Sequence, residues 1–121
     1  MNHFIGIRTI GVPVRDQDRA VAFYAATLGF ELVMDAPLPQ IGGRWIVVAP
    51  PGAATNLALT PASNDGPVDT GVRLVTADSV AAHEHLSKEG VDTDELITWP
   101  GVPPMFTFRD QDGNTLYVVQ E

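Results

Sequence analysis

The chain has 121 residues, of which 45% are hydrophobic and 18% charged, enough for one packed domain that folds without a disulfide or metal staple and too apolar for a disordered chain. It contains no cysteine, which excludes disulfides, thiolate chemistry and cysteine metal sites. Seven Lys and Arg against 15 Asp and Glu give a formal net charge of -8, which argues against nucleic acid or an anionic membrane surface as partner, since both require a basic face.

The Ile- and Val-rich stretch from Phe4 to Val14 reads as a strand. Asp16 stands where a helix N-cap belongs, with Asp18 in the first turn, and Ala20, Val21, Phe23, Tyr24 and Leu28 recur at helical spacing up to Gly29. The spacing predicts a helix from Gln17 to Leu28. A short strand follows over Phe30 to Met34 and ends at the Pro37/Pro39 pair. Two more are expected over Arg44 to Ala49 and Thr55 to Thr60, separated by Pro50-Pro51-Gly52. Pro61 to Pro67 has no periodicity and reads as a linker.

The pattern then begins again. Gly71 to Thr76 is a strand, Asp78 a second N-cap, and Val80 to Lys88 a helix that stops at Gly90. Glu95 to Trp99 is expected as a strand. Met105 to Arg109 and Leu116 to Gln120 form a hairpin around Asp110-Gln111-Asp112-Gly113-Asn114, with Gly113 and Asn114 tolerating positive φ. The acid-rich turn is too short for a calcium loop and lacks flanking helices. Asp16 and Asp78 lie 62 residues apart and Gly29 and Gly90 lie 61 apart, so the chain repeats itself at half its length. The expected fold is α+β: two tandem βαβββ modules, about 1–62 and 68–121, forming a cupped, eight-stranded mixed sheet with one helix per module on the outside.

No run approaches the roughly 20 apolar residues of a membrane span. Met1 to Arg8 lacks the basic-then-apolar pattern of a secretory leader, so a cytoplasmic protein is expected.

With the repeat in view, the sequence resembles the vicinal oxygen chelate superfamily, which includes glyoxalase I, extradiol dioxygenases, fosfomycin-resistance enzymes and bleomycin-resistance proteins. The match rests on Val12-Pro13-Val14-Arg15-Asp16, on Ala20 to Tyr24 with Leu28-Gly29-Phe30, and on the closing hairpin from Phe106 to Gln120. Catalytic members hold a divalent metal through His, Glu or Gln, one on each of four strands. By resemblance those positions fall on Thr9, Ala58 (with Asn56 as its neighbour), Gly71 and Tyr117. None supplies the imidazole or carboxylate that zinc, nickel, iron or manganese needs, so no metal and no cofactor is expected. His83 and His85 are two apart on a helix and point about 200° apart. With His3 near the terminus, the histidines read as solvated.

Without a metal, the concave face becomes a pocket. Strand alternation places Thr9 and Gly11 on that face, with Ile10, Val12 and Val14 beneath the helix. Gly71, Arg73 and Val75 share the corresponding parity in the second module, as do Thr115, Tyr117 and Val119. Arg73 could pair with a ligand carboxylate or phosphate, or with an internal acid. Tyr117 could hydrogen-bond a ligand or merely pack. Trp45 and Trp99 are candidate walls or rims for a flat or cationic ligand. The predicted pocket set is therefore Thr9, Gly11, Trp45, Ala58, Gly71, Arg73, Trp99 and Tyr117.

Together with the resemblance, which includes bleomycin-resistance proteins, the absence of metal donors at these positions implies a metal-free protein that binds a small organic molecule, an antibiotic or metabolite, without turning it over. The alternative is an enzyme of the same superfamily, a lyase, isomerase or dioxygenase with non-standard or no metal ligands. Such an enzyme needs a general base near neutral pH, and no inward His, Asp or Glu is evident. The resemblance also implies a homodimer, which would cover open sheet edges.

Overall fold

Val12 and Val14 alternate with more accessible neighbours in β1 (Thr9–Val14), and this period of two sets one face of the first sheet against a helix. The computed structural model describes residues 2–62 and 66–121. They divide into two compact units, Met1–Asn64 and Asp65–Glu121. Ser63 to Asp65, the middle of the expected linker, lie outside the described residues.

In the first unit β1 is followed by α1 (Gln17–Val21), which continues as a π-helical segment over Ala22–Thr27. The Asp16 carboxylate accepts a hydrogen bond from the Arg19 backbone N–H at 3.1 Å, the cap that the sequence indicates. Gly29 ends the helix with φ of 79°, a left-handed geometry that glycine adopts without a Cβ clash. Then come β2 (Glu31–Leu38), β3 (Gly43–Ala49) and β4 (Asn56–Pro61). The sheet order is β1-β4-β3-β2. β1 and β4 run parallel, with Thr9 opposite Asn56 and Gly11 opposite Ala58, while β3 runs antiparallel to both its neighbours. Val12, Val14, Ala20, Tyr24, Ile46, Val48, Leu57 and Leu59 form the core.

The second unit repeats this plan. It comprises β5 (Asp69–Thr76), α2 (Ser79–Lys88), β6 (Met105–Arg109) and β7 (Thr115–Gln120). Its sheet order is β5-β7-β6, with β5 parallel to β7. Asp78 caps α2 by accepting from the Ala81 N–H at 3.0 Å. Val72, Leu86, Phe106, Phe108, Leu116 and Val118 are buried. The fold is α+β, with two helices and two mixed sheets. Among the described residues no helix is long and apolar enough to cross a membrane.

Four expectations change in detail. The first strand starts at Thr9 rather than Phe4, because its partner β4 starts at Asn56, whose N–H donates to the Arg8 carbonyl at 2.9 Å. β2 runs on through Pro37 to Leu38, which a sheet edge tolerates because a proline there forfeits no ladder bond. Glu95 to Trp99 is not a full strand. Within it Ile97 bridges to Met105 on β6, and the stretch just before it is tied to the same strand by the Thr93–Phe108 bridge and by the Asp94 N–H donating to the Thr107 carbonyl at 2.8 Å. Arg109 holds it there by pairing with Asp92 and Asp94, and the Pro100-to-Pro104 loop follows. In the closing turn only Gly113 has a positive φ. Asn114 is instead a fully buried hub that accepts from the Val68 N–H and donates to the Asp110 carboxylate.

Candidate functional site

The helices cover one face of each sheet, and the opposite face carries the predicted site residues other than Trp99. In the first unit, the parallel register of β1 and β4 brings Thr9 level with Asn56. The Thr9 hydroxyl donates to Asn56 Oδ1 at 2.6 Å. β3 adds Trp45 and Val47, and β2 pairs Met34 with Val47 and Ala36 with Trp45. A β-bulge between Leu32 and Met34 shifts the β2 register here, the kind of irregularity that re-aims side chains. The result is a cleft of about 290 Å³ lined by Arg8, Thr9, Val33, Met34, Trp45, Val47 and Asn56. Its chemistry is an apolar and aromatic wall, one hydroxyl–amide pair and one guanidinium.

Of the four first-unit residues predicted for the pocket, Thr9 and Trp45 line this cleft. Ala58 does not: it sits on the same strand face as Asn56 but is buried between β1 and β3. Gly11 is exposed, and a side chain at that position would meet open space. Asn56 takes the role first given to Ala58, because the parallel register pairs it with Thr9. That two-position slip along β4 is what spacing alone left open. Arg8, Val33, Met34 and Val47 join through cross-strand pairing and the β2 bulge, neither of which leaves a motif in the sequence.

In the second unit Gly71, Arg73 and Tyr117 do come together. A register shift in β5 between Asp69 and Arg73, with Gly71 at φ of 69°, bends the strand. Arg73 then stands opposite Tyr117 on β7. Its guanidinium carbon lies 3.9 Å from the Tyr117 ring centroid, and its Nη1 donates to the Gly71 carbonyl at 2.8 Å. The Tyr117 hydroxyl donates to Asp69 Oδ2 at 2.6 Å, and Asp69 Oδ1 accepts from the Gly71 N–H at 3.0 Å. The Tyr117 hydrogen bond, joined by that of the Gly71 N–H, holds the Asp69 carboxyl below its usual range. The same bond to a carboxylate pushes the Tyr117 phenol up. Asp69 was not foreseen, because nothing local in the sequence announces a contact between residues 48 positions apart. Trp99 lies in an exposed turn, where its carbonyl accepts from the Val102 N–H.

The four positions at which metal donors were sought do not suit a divalent transition metal. The Thr9 hydroxyl is committed to Asn56 and the Tyr117 hydroxyl to Asp69. Gly71 has no side chain, and Ala58 offers only a buried methyl. Among the described residues no three of His, Cys, Asp and Glu converge elsewhere. His83 is not a solvated surface group as expected: its Nε2 lies 2.9 Å from the Asp94 carbonyl, and its ring packs edge-on against Phe106.

The geometry agrees with comparisons to known proteins. The model of the Glyoxalase/Bleomycin resistance protein/Dioxygenase superfamily matches residues 3–118. The uncharacterized protein YetH of Bacillus subtilis strain 168 is 30% identical over 115 residues, spanning 89% of this chain and 92% of that one. TnmS3, an antibiotic binding protein from Streptomyces sp. CB03234, superposes with a TM-score of 0.87 at 34% identity, covering 99% of this chain and 98% of its own. A superfamily member from Sphaerobacter thermophilus DSM 20745 gives a TM-score of 0.87 at 33% identity, covering 98% of each chain. This chain therefore belongs to the glyoxalase/bleomycin resistance protein/dioxygenase superfamily.

Proposed function

We propose that this protein binds a small organic molecule, an antibiotic or a metabolite, in a metal-free site and sequesters it without chemical change. The observation that carries the reading is the cleft of about 290 Å³ beside Trp45. A concave, largely apolar site with a few placed polar groups is how proteins hold drug-sized ligands. Trp45, Val33, Met34 and Val47 provide contact area, while Thr9, Asn56 and Arg8 provide direction. The lining holds no His, Asp or Glu, so the cleft offers recognition without a general base. The likeness to the antibiotic binding protein TnmS3 supports the same reading.

We also infer a homodimer working in the cytoplasm. Phe4, Ile5 and Ile7 before β1, and Leu32, Val33 and Met34 on the edge strand β2, are exposed apolar side chains. Apolar surface and an open strand edge of this kind favour a partner.

Two measurements test the function. A thermal-shift screen of antibiotics and metabolites should find a ligand that raises the melting temperature and changes the Trp45 fluorescence. Trp45→Ala should weaken that ligand about tenfold or more while leaving the chain folded. Mass spectrometry should recover the ligand unchanged after prolonged incubation. Turnover of the ligand, or a stoichiometric divalent metal in protein purified without chelator, would overturn the reading in favour of an enzyme.

A further inference from the structure

The face of the second sheet opposite α2 carries two arginines with different surroundings. Arg109 on β6 is matched by Asp92 at 3.0 Å and by Asp94 at 2.7 Å. Arg73 on β5 has no carboxylate within ion-pair distance among the described residues. It commits Nη1 to the Gly71 carbonyl and lays its guanidinium against the Tyr117 ring. Asp69, the acid whose charge acts on it, has both carboxylate oxygens engaged by Tyr117 and Gly71. The side chain is exposed yet held at two points, so its remaining N–H donors are presented from an anchored guanidinium.

The bend in β5 is what makes this arrangement. The register shift between Asp69 and Arg73 interrupts pairing with β7, and Gly71 supplies the left-handed φ that the bend requires. One step along the same face, Val75 is exposed and stands opposite Val119, which pairs with Met105 on β6. A fixed planar cation therefore adjoins a small apolar shelf.

We propose that Arg73, stacked on Tyr117, is a binding site for the carboxylate of a small, flat organic acid. A guanidinium fork matches a carboxylate in two parallel hydrogen bonds, which an ammonium cannot reproduce. Stacking on the aromatic face removes much of the rotamer entropy that a free arginine loses on binding. The Val75 and Val119 shelf receives the acid's ring. The charge on Asp69 opposes an incoming anion, and its hydrogen bonds to Tyr117 and Gly71 weaken that opposition without removing it. The site uses second-unit residues alone and does not rest on the Trp45 cleft, so either can fail without the other.

The test is a titration of the 15N-labelled 121-residue chain with benzoate, with benzamide as the uncharged match. The arginine Nε–H signals are followed, and the signal lost in Arg73→Gln is Arg73. Benzoate should shift that signal saturably, and benzamide should not. Arg73→Gln should weaken benzoate about tenfold, as expected for loss of a charge-assisted pair. Arg73→Lys should restore only part of the affinity, and Asp69→Asn should tighten it. Tyr117→Phe keeps the platform but frees one Asp69 oxygen and should weaken binding only slightly, whereas Tyr117→Leu loses both and should weaken it strongly, so the difference between the two reads the stacking. The proposal is overturned if millimolar benzoate leaves the Arg73 signal unmoved, if benzamide binds equally well, or if Arg73→Gln binds like the parent. Should Arg73→Gln fail to fold, Arg73→Lys, which also lacks the Nε–H, assigns the signal, and the Asp69→Asn and Tyr117→Leu titrations decide.

Discussion

The Arg109 cluster shows how one side chain can organise a segment that lacks regular structure. Its guanidinium reaches both Asp92 and Asp94, and the Thr107 hydroxyl donates to Asp94. Arg109 hydrogen bonds hold the Asp92 and Asp94 carboxyls below the usual carboxylate range, with Thr107 adding to the effect on Asp94. Because the folded values are depressed, their stabilising contribution is present above the unfolded aspartate pKa of about 3.9 and is lost as pH falls below it. The contribution is small, since the Asp92 and Asp94 side chains are 73% and 53% exposed. Arg109→Gln should therefore be less stable than the parent near neutral pH. The gap should close on acidification below about pH 4 in urea titrations. A gap that stays constant down to the acid limit would assign the loss to packing instead.

At the scale of elements, the first unit relies on one amide where its sheet runs out of ladder. β3 and β4 share only the Val47–Ala58 and Val48–Leu57 pairs. Beyond them the Gln17 side chain spans the gap. Its Nε2 donates to the carbonyls of Arg44 and Leu59 at 2.6 and 2.8 Å, and its Oε1 accepts from the Arg44 N–H at 3.0 Å. Gly43 makes room for this bridge, because a Cβ there would come within 2.7 Å of Gln17 Oε1 and of Pro61 Cγ. Gln17→Ala leaves three backbone groups unpaired in a partly buried setting and should cost about 2 kcal/mol in chemical denaturation. A loss below about 0.5 kcal/mol would show that water replaces the amide without penalty. In the second unit Gln120 plays a comparable part, accepting at Oε1 from both the backbone N–H and the hydroxyl of buried Ser79.

For the whole molecule, the expected state is a dimer. Phe4, Ile5 and Ile7 are 81%, 107% and 73% exposed, and the β2 edge adds three more apolar side chains. Light scattering on size-exclusion peaks should give twice the 13.0 kDa chain mass. Replacing Phe4 and Ile5 by Glu should shift the mass toward the monomer without unfolding either unit. A parent mass of 13.0 kDa at micromolar concentration would remove the dimer.

The sequence by itself determined the elements and their repetition. Asp16 and Asp78 cap the helices, Gly29 and Gly90 stop them, and the alternation around Val12 and Leu116 sorts buried from open faces. These signals are local, written within one turn or one strand, so the fold class and the two-module plan were legible. The candidate site was legible only in part: parity gave the sheet face of Thr9, Arg73 and Tyr117, while Trp45 was singled out only as an aromatic on a strand. The tertiary structure alone decided which strand residue faces which. It paired Asn56 rather than Ala58 with Thr9, brought Asp69 to Tyr117, and left Glu95 to Trp99 bridged to β6 instead of paired as a full strand. The reason is physical: cross-strand register is fixed by backbone hydrogen bonds and bulges between residues far apart in sequence, and a slip of two positions, as from Ala58 to Asn56, keeps every side chain on its face and leaves the local pattern unchanged.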